Sequence, residues 1–369
     1  MVIREKVGTQ RSGIREILGE WCYSSGLLHV LQRGRAWLRR DLRILAYHRV
    51  LNLPDPSAFA FDLDLMSTTA DGFREQMQLL QRRFAPMSLG DVVAALDAGK
   101  RLPTNTVVVT FDDGYDDNYR IAYPILRELG IPATFFVSTN HIDSGHPFAY
   151  DWLVYMILRA PVQRLVLPEL GLDLPMPFQR AERRQLASGV LRRMKGLDDA
   201  IQSSLIERLE NEWEMPREVG HPDCRPMSWD ALREMHAFGF EIGSHGVHHC
   251  MLAKLSPDQL EAELVGSRAT LERELGTPVT LLSYPVGGDL AFDGRVMQAT
   301  KAAGYRAACS YICGTNRQFA VNRYALYRLP VERAMGAGWF AAMLTLPELM
   351  GYPTVGRVGT TGHEAACSY

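Results

Sequence analysis

The chain has 369 residues, of which 47% are hydrophobic and 22% are charged, and its formal net charge at pH 7 is -2. This length and composition suit one barrel-sized domain or two smaller ones. The small net charge argues against nucleic acid as a partner. The six cysteines lie scattered without two CxxC pairs, which argues against a structural zinc finger and favours buried thiols in a reducing compartment.

Residues 1–40 predict a basic helical extension. An apolar patch at 26–31 is followed by a run of arginines, namely Arg33, Arg35, Arg39, Arg40 and Arg43. Two interpretations stay open: a solvated helix packed on the domain, or a basic amphipathic helix in peripheral contact with a membrane surface. No apolar stretch is long enough to cross a bilayer, and the extension lacks the long core and cleavage site of a secretory signal. We therefore expect a cytoplasmic protein, with the inner face of the membrane as the alternative location.

Seven short runs rich in Val, Ile, Leu and Phe alternate with longer helical patterns, which is typical of an α/β fold with a largely parallel sheet. The predicted strands are Arg43–Tyr47, Thr106–Phe111, Ala133–Val137, Phe240–Gly243, Thr280–Tyr284, Tyr305–Ser310 and Ala325–Val331. The predicted helices are Asp71–Arg83, Asp117–Leu129, Trp229–Phe238, Pro257–Leu275 and Phe292–Ala303.

The interval from about 141 to 226 breaks this alternation. Its middle is rich in proline, and a charged helical stretch follows from Arg180 to Glu214. No flexible linker flanks the interval, so we interpret it as an insertion into a single domain over 41–350. Residues 351–369 are rich in Gly and Thr and lack periodicity, which predicts a disordered tail.

Polar motifs follow several of the predicted strands. The segment Thr110–Tyr115 contains two adjacent aspartates after the second strand, and Ser244–His249 contains histidines four residues apart after the fourth. His48 follows the first strand, and Tyr284–Gly287 follows the fifth. Chemically capable side chains at the carboxyl ends of several strands are typical of a catalytic (β/α) barrel.

These residue types can hold one divalent metal. Neutral imidazole and carboxylate are ordinary ligands of Zn²⁺, and a catalytic zinc site uses three protein ligands. His245 and His249 form the histidine pair, and either Asp112 or Asp113 would supply the third ligand. Because consecutive residues leaving a strand point in different directions, one aspartate should bind the metal while the other accepts a proton as general base. Zn²⁺ is the preferred ion, although other first-row ions fit the same ligands.

Each motif also has a purely structural interpretation. An Asp-Asp-Gly sequence after a strand is often only a turn, and two histidines four residues apart often form a solvated or capping cluster. His48 could equally be a core histidine with its hydrogen bonds satisfied. The coincidence of the two main motifs at strand ends in one chain favours the metal site.

The motifs resemble those of the polysaccharide deacetylases of carbohydrate esterase family four, the nodulation-type chitooligosaccharide deacetylase domain. The similarity extends over about residues 44–332. The resemblance implies an irregular seven-stranded (β/α) barrel with a helical insertion. It also implies that Asp112 is the general base and that the metal ligands are Asp113, His245 and His249. The segments that carry it are Ile44–Val50, Thr110–Tyr115, Ile131–Val137, Glu241–His245 and Ser283–Gly287.

The resemblance further implies the reaction. A water activated beside Asp112 attacks the carbonyl of an N-acetyl group, and acetate and a free amino sugar are released. The metal and a backbone N–H near Val286 would hold the tetrahedral oxyanion, a donor whose loss typically costs about 2.7–4 kcal/mol. Tyr115 and Tyr284 are expected to lie near the oxyanion or the substrate.

The chain departs from the family pattern in three places. Gly246 stands where Ser or Thr is common, Ser283 where arginine is common, and Val286 at an aromatic position. No Leu-x-x-x-His string near the C-terminus supplies the usual acid histidine. The pattern resembles the branch linked to bacterial exopolysaccharides, in which His48 would be an active-site histidine and Arg328 would orient the base.

The first functional hypothesis is therefore a metal-dependent enzyme that removes N-acetyl groups from a GlcNAc-type glycan or its lipid-linked precursor. A deacetylase-like domain that binds glycans without turnover is the second hypothesis. A carbohydrate O-acetyl esterase is the third, since the same tetrahedral chemistry serves esters. All three have a carbohydrate as partner, and none involves nucleic acid.

Overall fold

A closed barrel of seven parallel strands forms the centre of the protein. The computed structural model describes residues 7–318 and 322–352, with side chains from residue 13 onward. Each barrel strand pairs with its neighbours in chain order, and the seventh strand closes onto the first. The architecture confirms the irregular (β/α) barrel expected from the sequence. The strands are β1 Asp41–Tyr47, β2 Thr106–Phe111, β3 Ala133–Val137, β4 Glu241–Ser244, β5 Leu281–Ser283, β6 Ala307–Cys313 and β7 Leu326–Pro330.

The barrel strands are apolar because helices cover the sheet on its outer side and side chains fill its interior. All residues of β1, β2 and β3 are buried. Between the barrel and its helices, the rings of Phe111 and Phe135 stack with their centroids 4.7 Å apart, Tyr47 stacks on Phe111 at 5.3 Å, and Phe73 of the helix over 70–83 packs edge-on against Tyr47 and Phe111. The barrel is irregular where β4 and β5 share a single pair, Ser244 with Leu282, and where the β6–β7 register shifts. All seven strands run in the same direction, so their carboxyl ends form one rim.

Fourteen α-helices lie among the described residues. Most surround the barrel, and shorter elements connect them. The helices are α1 Val7–Ser24, α2 Leu27–Leu38, α3 Ala70–Arg83, α4 Leu89–Asp97, α5 Tyr123–Leu129, α6 Thr139–Ser144, α7 Ala149–Arg159, α8 Arg180–Met194, α9 Asp199–Glu212, α10 Trp229–Ala237, α11 Pro257–Leu275, α12 Gly294–Ala302, α13 Ala337–Thr345 and α14 Pro347–Met350. The shorter elements are the strands Arg49–Val50, Met66–Thr68, Ala85–Pro86, Arg164–Leu167, Leu172–Pro175 and Asn316–Arg317, the 3₁₀ turns Pro56–Ala58, Pro168–Leu170 and Leu252–Lys254, and the π turn Asn118–Ala122.

The helix predicted over Asp117–Leu129 differs from the structure in its first part. Asn118–Ala122 forms a π turn, and α5 begins only at Tyr123. Pro124, which has no N–H to donate to the preceding turn, lies directly after the π turn in a continuous helical stretch. The predicted helix over 257–275 has the observed bounds, because Ser256 and Gln259 form a capping box and Gly276 ends the helix in a left-handed conformation.

The segment interpreted as an insertion builds its own hydrophobic cluster. Helices α7, α8 and α9 and a hairpin over 164–175 contribute to this cluster, in which Trp152 and Leu205 are buried. Phe61 and Tyr115, which lie outside the insertion, belong to the same cluster. The insertion is therefore packed against the carboxyl-end rim of the barrel.

The N-terminal helices α1 and α2 pack against α13. Glycines permit the close approach of α1: a Cβ built on Gly19 would lie 2.8 Å from the Trp339 Cα, and one on Gly338 would lie 2.5 Å from the Glu20 Cα. No helix of the described part of the chain is long and apolar enough to span a membrane. In the predicted disordered tail, residues 353–369 lie outside the described residues.

Candidate active site

Three predicted metal ligands converge at the carboxyl-end rim. Asp113 follows β2, His245 follows β4, and His249 ends the short loop after it. The Nε2 atoms of His245 and His249 lie 3.4 and 3.2 Å from Asp113 Oδ1. One ligand atom from each residue lies within 4.8 Å of the others. The fold thus brings together a carboxylate and two imidazoles from segments about 130 residues apart in sequence.

The hydrogen bonding of these residues fits a bound divalent cation. His245 Nδ1 lies 2.7 Å from the Ser283 carbonyl oxygen. A carbonyl only accepts, so Nδ1 carries the proton and donates, which leaves the Nε2 lone pair facing Asp113. Among the described residues, nothing donates a hydrogen bond to the buried Asp113 Oδ1. A buried carboxylate oxygen without a donor, faced by two imidazole nitrogens, matches the ligand set of a catalytic Zn²⁺ site.

The backbone is strained at this rim. Five non-glycine residues of the described chain have positive φ, and three of them belong to the site: Asp113 at 76°, His249 at 61° and Val286 at 62°. The left-handed region is unfavourable for any residue with a Cβ and most unfavourable for a β-branched one. Such strain persists only where the surrounding structure holds it, and it concentrates at functional sites.

The loop between the two histidines is held by Glu263 of α11. Its Oε2 accepts hydrogen bonds from the N–H groups of Val247 at 2.7 Å and His248 at 3.1 Å, and its Oε1 lies 2.6 Å from His248 Nδ1. Burial alone would raise the pKa of Glu263, but these hydrogen bonds hold it below its usual range. Ser244 Oγ accepts from the Gly246 N–H at 3.1 Å. The loop therefore has its own supports where relatives use a Ser or Thr side chain.

Replacing Glu263 by glutamine is expected to weaken metal affinity by about 10–100-fold, the usual effect of losing a group that orients a ligand. The amide has the same size but carries no charge, so its oxygen accepts the two N–H bonds more weakly and the loop that positions His249 loosens. A chelator competition titration measures the effect. Glu261→Gln, on the exposed side of the same helix, is the matched control. Equal metal affinity in the two variants would contradict the role of Glu263.

The second aspartate, Asp112, is bound by a buried arginine. Two nitrogens of the Arg328 guanidinium donate to the two Asp112 oxygens at 2.8 and 2.6 Å, and Arg328 also donates to Ser283 Oγ at 3.0 Å and Thr110 Oγ1 at 3.2 Å. Burial raises the pKa of Asp112, but the positive charge and hydrogen bonds of Arg328 outweigh this effect and keep it below its usual value. Asp112 is therefore ionised and fixed in orientation. Ser283, which replaces the arginine common in the family, leaves room for a guanidinium that comes from β7.

His48 also lies at the site. Its ring contacts the Tyr311 ring edge-on with the centroids 5.2 Å apart, and its backbone N–H donates to Ser67 Oγ at 3.0 Å. Burial lowers the pKa of the imidazole, although the negative charges of Asp113 and Asp112 oppose this effect. In the free protein, His48 is therefore neutral near pH 7. Its role as proton donor to the leaving amine stays a prediction.

We expect His48→Ala to lower kcat by about 100-fold while the metal content is unchanged. An acid must be protonated to act, so its contribution falls as pH rises through its pKa. Because burial lowers the pKa of His48, this basic limb should lie below the ordinary imidazole range, and the variant should lack it. A pH–rate profile with metal analysis tests this, with His236→Ala on α10 as control. A fully active variant with an unchanged profile would make His48 a structural residue.

The hydroxyls of the two tyrosines predicted near the oxyanion or the substrate have partners within the protein. The Tyr115 hydroxyl donates to Asp151 Oδ2 at 2.6 Å, and the Tyr284 hydroxyl donates to the Tyr324 carbonyl at 2.8 Å. Both side chains are buried, and a contact of either residue with the oxyanion or the substrate stays a prediction. The Val286 N–H, in contrast, has no acceptor within the described part of the protein, and its use as an oxyanion donor stays a prediction.

The sequence analysis missed Glu263. Helical spacing could have indicated that Glu263 is buried. Leu260, Leu264 and Leu271 define the buried face of α11, and Glu263 lies on that face. A carboxylate at a position that packing reserves for apolar residues indicates a specific partner.

Comparison with known proteins agrees with this geometry. The family model described as polysaccharide deacetylase matches residues 99–308, and the chain belongs to the polysaccharide deacetylase family. The match confirms the family resemblance inferred from the motifs.

The similar proteins fall into curated relatives and solved structures. The Bacillus subtilis protein YxkH is 22% identical over 253 residues, which cover 68% of this chain and 60% of that protein. The poly-beta-1,6-N-acetyl-D-glucosamine N-deacetylase of Escherichia coli K12 is 31% identical over 109 residues, 29% of this chain and 15% of that protein. The chain thus matches less than two thirds of the length of these relatives. The Streptococcus pyogenes deacetylase PplD, solved with acetate, has the same fold, with a TM-score of 0.54 and 18% identity over 85% of this chain and 99% of PplD.

Proposed function

We propose that the protein is a metal-dependent deacetylase that removes N-acetyl groups from a GlcNAc-type glycan, in particular a poly-GlcNAc-type exopolysaccharide or its lipid-linked precursor. The observation that supports this most is the pairing of a convergent Asp113–His245–His249 set with a separate, ionised Asp112 held by Arg328. A glycan-binding domain has no use for a positioned base beside a metal site. The name of the Escherichia coli relative supports the choice of N-acetylglucosamine polymers.

Asp113, His245 and His249 would hold the metal, which would supply Lewis acidity toward the acyl oxygen and the water. Asp112 accepts a proton from the attacking water, whose oxygen bonds to the acyl carbon. The Val286 N–H donates to the oxyanion that forms. The carbon–nitrogen bond then breaks, the amine takes up a proton from the protonated form of His48, and acetate and a free amino sugar leave.

Acetate release tests the proposal directly. The purified protein, loaded with Zn²⁺, would be incubated with β-1,6- and β-1,4-linked GlcNAc oligomers and with an O-acetylated glycan of comparable length. We expect release from an N-acetylated oligomer and its loss with a chelator. Release from the O-acetylated glycan alone would identify an esterase. Binding of all three glycans without release would identify a binding domain.

We also propose that the protein is cytoplasmic and acts at the inner face of the membrane, in peripheral contact through its N-terminal helices. Two features support this location. Arginines alternate with apolar residues in and after α2, and Cys22, Cys224, Cys250 and Cys309 are unpaired thiols. Fractionation of cells that produce the full chain tests the location, and recovery in the periplasm or outside the cell would contradict it.

A further inference from the structure

The N-terminal helices expose apolar side chains that a solvated surface does not need. On α1, the exposed residues Ile14, Ile17, Leu18 and Trp21 follow one another at intervals of three, one and three residues. This spacing places them on one side of the helix. Gly19, on another side of α1, faces α13 and the barrel. The stripe is therefore directed away from the packing interface and has no partner within the described residues.

Helix α2 also exposes apolar side chains on one side. Leu27, Val30, Trp37 and Leu38 are exposed, with Trp37 at 86% and Leu38 at 72%. Leu28 and Gln32, on the opposite side, are buried against the protein. Scattered exposed apolar residues are normal, but two contacting helices with an apolar stripe each indicate an interaction surface.

Positive charge adjoins these stripes. A cleft of about 570 Å³ at the N-terminal end of β1 is lined by Trp37, Leu38, four arginines, Gln318 and Asp41, whose carboxylate is paired with Arg35. Arg39 pairs with Glu348 at 3.1 Å, and Arg40 donates to the Leu102 carbonyl at 3.2 Å. The other two, Arg101 and Arg317, are exposed and have no side-chain partner in the described part of the chain. Two free guanidinium groups beside an exposed indole suit a phosphate group at an apolar boundary.

We propose that the stripes of α1 and α2, together with this cleft, form a surface that binds the phosphate headgroups of an anionic lipid bilayer. Trp and aliphatic side chains enter the boundary between headgroups and acyl chains, while arginines attract anionic lipids. The positive charge favours an anionic bilayer over a second copy of the chain, because an apolar contact between two copies would bring like-charged arginines together. An anionic bilayer is the partner that the proposed membrane location requires, and binding to it needs no deacetylase activity.

Co-sedimentation of the full chain with vesicles tests the proposal. We expect binding to vesicles of equal parts phosphatidylglycerol and phosphatidylcholine, weak binding to phosphatidylcholine alone, and a loss of binding as salt rises. The double variant Trp21→Ser/Trp37→Ser should lower partitioning to both vesicle types by about tenfold or more. Arg101→Gln/Arg317→Gln should remove the preference for phosphatidylglycerol. Phe178→Ser, at a fully exposed apolar residue of the insertion, is the control and should bind like the unaltered protein.

Other outcomes would overturn the proposal. One is equal binding to both vesicle types, and another is unchanged binding by both double variants. A third is a lipid-free dimer, seen by light scattering, that the Trp21→Ser/Trp37→Ser change dissociates, because the stripes would then join two copies of the chain. Circular dichroism and acetate release from a soluble oligomer show that each variant is folded. Since vesicle binding is measured without glycan, its failure is distinguishable from a failure of the proposed reaction.

Discussion

Replacing Asp112 by asparagine is expected to lower kcat by about 10²–10⁴-fold, the usual contribution of a positioned general base. The amide keeps the size of the side chain but cannot accept the proton of the attacking water. Its NH₂ group would also oppose the guanidinium of Arg328, which now donates to both Asp112 oxygens. Initial rates of acetate release, together with metal analysis of the same sample, measure the effect.

The matched variant is Asp113→Asn, one residue further along the chain. It removes the negative charge from the set that faces His245 and His249, so it should weaken metal affinity first and activity in consequence. Excess metal should then restore part of the activity of Asp113→Asn and none of that of Asp112→Asn. If the two phenotypes appear exchanged, the roles of the two aspartates must be exchanged as well.

The second large effect is expected for His245→Ala and His249→Ala. Each variant removes one of three protein ligands, so both stoichiometric metal binding and turnover should be lost. His245 contributes twice, because its Nδ1–H also bonds the Ser283 carbonyl and so ties β4 to β5. Metal content by atomic absorption and acetate release measure the two properties on one preparation.

His248 provides the internal control for this pair. It lies between the two ligands, and its Nδ1 faces Glu263, away from Asp113. His248→Ala should therefore retain its metal and most of its activity. A His249→Ala variant that keeps stoichiometric metal and near-normal turnover would show that the ligand assignment is wrong.

The sequence predicted the barrel well where burial alone decides structure. The bounds of β2 and β3 match the predicted strands, because a continuous apolar run between polar turns has one stable placement in a parallel barrel. Irregular segments were less predictable. β6 extends to Cys313, three residues beyond its predicted end, where its pairing with β7 shifts register. Such a shift depends on the neighbouring strand and leaves no local signal.

The candidate site likewise has parts that could be predicted from the sequence and parts that could not. The convergence of Asp113, His245 and His249 could be predicted because strand ends and histidine spacing are local features of the sequence. The contact of Arg328 with Asp112 joins residues 216 positions apart and was available only as a resemblance. The partners of the Tyr115 and Tyr284 hydroxyls could not be predicted, because the sequence does not show that Asp151 and the Tyr324 carbonyl would bond them.

The pair between Asp112 and Arg328 has a consequence for the order in which the protein is made. All three predicted metal ligands precede residue 250, whereas Arg328 lies on the last barrel strand to be synthesised. A chain released before β7 would contain Asp113, His245 and His249 but neither a closed barrel nor the guanidinium that bonds both Asp112 oxygens. The fixed orientation of Asp112 would thus be acquired last, when β7 closes onto β1.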